Sequence, residues 1–167
     1  MPINLTLPHG ASADFDGVTV IRCVDEKESA ANNERITADL AKQPGYTGIV
    51  ASRRWTLAFE KPNADGRVTT RYTSDITPEQ LVNAAPALKD RFELIDGGRS
   101  AIAKGVKVHL IRPLEARDGS DNRAVIHVEG GSSSGLFVRE TASTIKTQLG
   151  QRAAHLTEIG DEGFIDR

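Results

Sequence analysis

Cysteine is almost absent. Cys23 is the only one in 167 residues, so no intramolecular disulfide can form, which argues against a small stapled secreted scaffold and fits a reducing compartment. It lies in the apolar run Val18-Thr19-Val20-Ile21-Arg22-Cys23-Val24 with no legible base beside it. A packed thiol is expected there, not a nucleophile. Long apolar runs are missing as well, and no stretch nears the ~20 residues of a membrane-spanning helix. The opening Met-Pro-Ile-Asn-Leu-Thr-Leu-Pro has neither the basic flank nor the apolar core of a signal peptide. A cytoplasmic protein, or one held within an assembled particle, is the expectation. The net charge is only −2, which leaves no global attraction to nucleic acid or membranes. Neither a P-loop nor a three-glycine dinucleotide fingerprint occurs, and no cofactor is expected.

What is present suits one globular domain spanning 1–167, a length at which roughly two-thirds of the unfolded surface is buried without help from metal or disulfide. Alternation predicts strands at Ile3–Leu7 and Val18–Val24, the first ended by Pro8-His9-Gly10. A helix over 28–42 follows, with Ala31, Ile36 and Leu40 facing inward and Pro44-Gly45 ending it. Ser52–Glu60 and Arg67–Ser74 form a hairpin through Lys61-Pro62-Asn63-Ala64-Asp65-Gly66. Its alternation places Trp55, Leu57 and Phe59 with Val68, Thr70 and Tyr72 on a core face. Arg54, Thr56, Glu60, Arg67, Thr69, Arg71 and Thr73 fall on a wet, basic one.

Thr77-Pro78-Glu79-Gln80 carries a capping box, and Pro86 breaks the helix it starts. Phe92–Ile95 reads as a short strand closed by Asp96-Gly97-Gly98. Val106–Arg112 and Ala124–Glu129 are strands flanking a polar loop at 113–123. Ala142, Ile145, Leu149, Ala153, Leu156 and Ile159 make the best apolar stripe, a C-terminal helix interrupted at Gly150. The fold class is therefore α+β, an antiparallel sheet of about five to seven strands with two or three helices on one face.

Three constellations carry chemistry. If Arg112 pairs with Ala124, His109 falls opposite His127 and Glu129 shares its face, a donor set that suits a divalent metal. A one-residue slip disperses it. The run Gly130-Gly131-Ser132-Ser133-Ser134, with Arg139 nearby, offers amides and hydroxyls to an anion, although it lacks P-loop spacing and a lysine. Gly131 to Gly135 also spells a Gly-x-Ser-x-Gly elbow around Ser133. The elbow needs a helix next, and Leu136-Phe137-Val138 reads as strand. Finally, Arg54, Arg67 and Arg71 form a basic face for phosphates or an acidic protein, without the aromatic platform of single-strand readers.

The favoured expectation is a non-enzymatic interaction or assembly protein, a subunit of a larger particle such as a virion or filament, with a protein partner or self-association. The alternatives are a small metal-dependent or phosphate-handling enzyme on the His109/His127/Glu129 region, and a nucleic-acid-binding module on the Arg54/Arg67/Arg71 face.

Overall fold

The computed structural model describes residues 4–7, 12–45, 53–115, 121–160 and 163–166. The turn expected at Pro8-His9-Gly10 and the middle of the 113–123 loop lie outside them. Among the described residues the fold is α+β with antiparallel pairing throughout, but the strands divide into three sheets where one was expected. β1 (Asn4–Thr6) and β2 (Ser12–Asp14) form a small hairpin. One five-stranded sheet has the order β5-β4-β3-β7-β6, built from β3 (Val20–Cys23), β4 (Leu57–Pro62), β5 (Val68–Thr73), β6 (Phe92–Ile95) and β7 (Ser100–Ala103). The other has the order β10-β9-β8-β12-β11, from β8 (Val108–Pro113), β9 (Ala124–Val128), β10 (Leu136–Val138), β11 (Thr157–Ile159) and β12 (Gly163–Ile165). Both insert a late strand between earlier ones, β7 beside β3 and β12 beside β8. Local sequence pattern does not encode such pairings, which explains the miscounted sheet.

The first sheet is covered on both faces. Ile21, Leu57, Phe59, Phe92 and Ala101 pack with Phe15, Leu81, Val82 and Leu88. Leu81 and Val82 come from α2 (Pro78–Ala84), and Leu88 from α3 (Pro86–Arg91). Val20, Ile95 and Ile102 point the other way, into a second core with Ile111, Ile126, Leu136 and Val138 of the second sheet and Ile145 and Leu149 of α4 (Ala142–Leu149). Two-sided cover explains why Leu57, Ala58, Phe59 and Glu60 are all buried in a row. Polar–apolar alternation marks a half-buried strand and disappears when both faces are inside.

That burial also displaces the hairpin register. The turn closes through an Asn63–Arg67 bond, Asn63 N–H donating to Arg67 O at 2.6 Å, and β4 runs on to Pro62. Leu57 therefore pairs with Thr73, Phe59 with Arg71 and Ala58 with Tyr72, one residue off the expected match. Tyr72 shares a face with Ala58, not with Phe59. Trp55 precedes β4 and lies half-buried beside Tyr72, ring centroids 6.5 Å apart.

The first helix, α1 (Glu26–Ala41), attaches chiefly by polar groups; of the inward residues expected, Ile36 and Leu40 are half-buried and Ala31 is not inward. Its buried residues are Ser29 and Asn32, while Ala31 is exposed. Ser29 Oγ accepts from Trp55 N–H at 2.8 Å, and Trp55 Nε1–H donates to Asn33 Oδ1 at 2.9 Å. The capping box at Thr77/Gln80 forms as expected, and Pro86 opens α3. After α4, a 3-10 turn at Gly150–Ala153 ends the helical stripe, and β11 replaces its last turn.

Leu57 is fully buried, so Leu57→Ala is expected to cost about 2–5 kcal/mol. Trp55→Phe, which forfeits chiefly the Asn33 bond, is expected to cost about 1 kcal/mol. Urea midpoints measure both, and equal losses would contradict this placement of the two side chains.

Candidate functional site

The histidine constellation does not assemble. Leu110, not His109, lies opposite His127, because Arg112 pairs with Val125 and the ladder breaks register between Val108 and Leu110. His109 occupies that irregularity with its side chain exposed, and its backbone carbonyl accepts from Asp166 N–H at 2.9 Å. His127 Nε2 accepts from Arg112 Nε at 3.4 Å, so a guanidinium sits where a metal would have to bind. Burial, and then the Arg112 charge, hold the His127 pKa below its ordinary value. Glu129 is exposed, its N–H donating to Lys107 O. Among the described residues no group of three or more His, Cys, Asp or Glu is placed to hold a metal ion.

The arginine face divides. Arg67 and Arg71 are exposed on the outer β5 side, Arg67 lying 3.8 Å from Asp65. Arg54 precedes β4 and lines a groove against α1 with Arg53, Ala30 and Ala38. The three do not share one surface.

The Gly/Ser run is different, because it is neither loose nor isolated. Gly130 adopts φ +72, and a Cβ there would lie 2.8 Å from Thr19 Cγ2, whose hydroxyl donates to Gly130 O at 2.8 Å. Gly135 adopts φ +88, and a Cβ would come within 2.3 Å of Val125 Cγ1. Both positions need glycine for conformation and for room. Gly131 N–H donates back to Val128 O, and Ser133 is exposed at the tip. Ser132 N–H donates to Glu60 Oε1 at 2.9 Å, and the Ser132 and Ser134 hydroxyls bond each other at 2.9 Å. The loop does hold a negative charge, but that charge is the protein's own.

Glu60 belongs to a buried charge cluster. Its Oε2 accepts from Arg22 Nε at 2.9 Å, while Glu28 takes both Arg22 terminal nitrogens, at 2.5 and 2.7 Å. Tyr72 O–H donates to Glu28 Oε2 at 3.1 Å. Glu60 is 3% exposed, so it depends on these donors for its charge. Burial alone would lower the Arg22 pKa, but the bonds to Glu28 and Glu60 outweigh it and the net shift is upward. Arg22 is a half-buried charge in an apolar strand, and that pattern is the one sign in the sequence of a buried partner.

These groups form one wall of a cleft of about 830 Å³ between the two five-stranded sheets, a volume typical of ligand sites. Ser132, Ser134, Phe137 and Arg139 line it from the second sheet, and Cys23, Asp96 and Arg99 from the first. Asp96, Gly97 and Gly98 all adopt left-handed backbone, φ 55, 63 and 85. This turn sets Arg99 into the cleft. Asp96 is buried, its Oδ1 accepting Arg139 N–H at 3.0 Å, while its own N–H donates to Gln148 Oε1 at 3.1 Å. The carboxylates of Glu28, Glu60 and Asp96 are thus committed internally. The guanidinium heads of Arg99 and Arg139 make no hydrogen bond or ion pair among the described residues, although Arg99 acts on Asp96 and both act on Cys23 through space. Burial raises the Cys23 thiol above its usual pKa, against the pull of those arginines, which suits a packed thiol better than a nucleophile. Of the expected anion loop, Ser132, Ser134 and Arg139 line this cleft, and the left-handed turn adds Arg99, which was not among the residues expected there.

No protein-family model, curated protein or solved structure matches the chain significantly. Among the described residues no helix is long and apolar enough to cross a membrane. The molecule is an α+β protein with a polar cleft between two antiparallel sheets.

Arg22→Met would leave Glu60 and Glu28 facing each other without their cation. It is expected to cost about 3–5 kcal/mol of stability, read as a shift in urea midpoint, and a loss below about 1 kcal/mol would show the cluster to be solvated. Asp96 tests the same cleft through pH. Burial raises its carboxyl pKa, with the Arg139 N–H and Arg99 pulling the other way. The folded state thus binds this proton more tightly than the unfolded chain. The resulting stabilisation is present at low pH and is lost as pH rises from the ordinary aspartate value, ~3.9, through the raised one. Asp96→Asn keeps the acceptor for Arg139 and tolerates left-handed backbone. Its melting temperature relative to wild type should therefore climb between pH ~3.9 and neutrality, and a pH-independent difference would contradict the sign.

Proposed function

We propose that the protein is a non-enzymatic interaction protein and that the cleft between its sheets is the recognition site, taking an anionic group between Arg99 and Arg139. The observation that supports this is an asymmetry in how the cleft's charges are satisfied. Its buried carboxylates already have internal donors, whereas two guanidinium heads with no hydrogen-bonded partner among the described residues line the same cleft as Ser132 and Ser134. Guanidinium forks recognise carboxylate and phosphate through paired, charge-assisted hydrogen bonds. Asp25, Glu26 and Asp121 also line the cleft, with Lys27 beside them, so an anion is drawn to the paired arginines and not to the cleft as a whole. Asp25 is itself occupied in capping α1, its Oδ1 accepting Glu28 N–H at 2.7 Å. The thiol of Cys23 and the carboxyl of Asp96 are arranged as packing and hydrogen-bonding groups, so binding is the role the geometry favours.

Inorganic phosphate and acetate are the minimal probes. Titrated into ¹⁵N-labelled protein, each is expected to shift the backbone amides of Arg99, Ser134 and Arg139 saturably, and added salt should weaken the effect. Arg99→Ala with Arg139→Ala should reduce affinity about tenfold or more, since a hydrogen bond to a charged group contributes about 1.5–3 kcal/mol. Shifts that are absent, or that persist unchanged in the double variant, would overturn the assignment.

A further inference from the structure

We infer that the occupant of this cleft is an extended acidic polypeptide segment of a partner protein, added as a further strand along the open edge of β10 with one carboxylate side chain seated between Arg99 and Arg139. The inference rests on the anion-recognition reading above and gives its ligand a chemical class.

The edge itself is the first argument. β10 pairs with β9 on one side and, among the described residues, with no strand on the other. Proteins usually guard such an edge with charge, proline or a covering element. β10 has neither charge nor proline within Leu136–Val138, although it is only three residues long and Asp96 of the first sheet closes it beyond Val138 by accepting Arg139 N–H. It carries instead Phe137, which is 45% exposed and is the only exposed large hydrophobic side chain among the described residues. Leu136 and Val138 are buried in the core shared with α4, so the strand is anchored from one face while Phe137 remains available.

The strand is also held in shape at both ends. Gly135 enters it from left-handed backbone packed against Val125 and His127. Immediately after it, Arg139 N–H is fixed by the buried Asp96 carboxylate at 3.0 Å. A strand that is already extended costs little further entropy when a second one pairs with it, which is what strand addition requires. Phe137 lines the same cleft as Arg99 and Arg139, so backbone pairing, an apolar contact and an anion seat lie within one continuous surface.

Charge decides between occupants. A second copy pairing antiparallel through β10 would bring another Arg139, and the carboxylate that comes with it, Glu140, already accepts a hydrogen bond from Gln148. An acidic segment satisfies both arginines. A peptide whose apolar residue covers Phe137 and whose Asp or Glu follows at the strand's two-residue period meets the chemistry on this surface.

The test is selection from a random-peptide display library on the intact protein, with the Arg99→Ala/Arg139→Ala variant as a parallel target. Recovered peptides are expected to carry an acidic residue at a fixed offset from an apolar one, and to be lost from the variant. A synthetic copy should shift the amides of Leu136, Phe137 and Val138, compete with inorganic phosphate, and bind at least tenfold more weakly when alternate backbone amides are N-methylated. Phe137→Ser should weaken the peptide at least tenfold. Failure to recover acidic peptides, indifference to N-methylation, or β10 shifts that track a concentration-dependent doubling of mass would each overturn this inference. If phosphate still binds in those cases, anion recognition stands without the strand. If phosphate also fails, the underlying reading falls with it.

Discussion

One guanidinium joins three parts of the fold at a single point. Arg22 stands in the middle of β3, and its side chain joins Glu60 of the neighbouring strand to Glu28 of α1. Glu60 in turn receives Ser132 N–H from the loop between β9 and β10. The first sheet, the helix beside it and the second sheet are therefore linked through a single cation and two carboxylates. Apolar contacts cannot do this at that position, since α1 buries only serine and asparagine. Burying such a cluster is a poor route to raw stability, because desolvation offsets most of the attraction. What it provides is geometry: each donor and acceptor fits in one arrangement, and the cleft wall is set with it.

The distribution of charge in the cleft follows from this. Glu28 and Glu60 share Arg22, and Asp96 is occupied by the backbone of residue 139. Arg99 and Arg139 are therefore left without a direct counter-ion among the described residues, in a cleft whose formal charges taken together would suggest the opposite. Counting acids and bases along a surface would call this region acidic. The pairing inside it leaves Arg99 and Arg139 without a hydrogen-bonded partner among the described residues.

Much of the local structure was legible from residues. The Thr77/Gln80 capping box, the break at Pro86, the close of β6 at Asp96 and the interruption at Gly150 rest on short-range rules of backbone and side chain, and those rules operate the same way in the folded protein. What was hidden depended on partners distant in sequence. The register of β4 with β5 slipped because alternation is uninformative in a strand buried on both faces. The His109–His127 pairing failed through an irregularity that no periodicity announces. Of the cleft, Ser132, Ser134 and Arg139 were within reach because they are neighbours in sequence. Arg22, Glu60 and Arg99 were not, although a lone arginine between Ile21 and Cys23 was a visible oddity.

The strand order of the second sheet bears on how the protein comes into being. β12, at residues 163–165, lies between β8 and β11 and pairs with both. One edge of β8 therefore stays unpaired until those residues have left the ribosome, whereas every strand of the first sheet has been made by residue 103. Synthesis at ~5–20 residues per second separates the two events by seconds. During that interval the nascent chain carries a sheet with that edge open, the period in which its apolar strands are most exposed to misassociation.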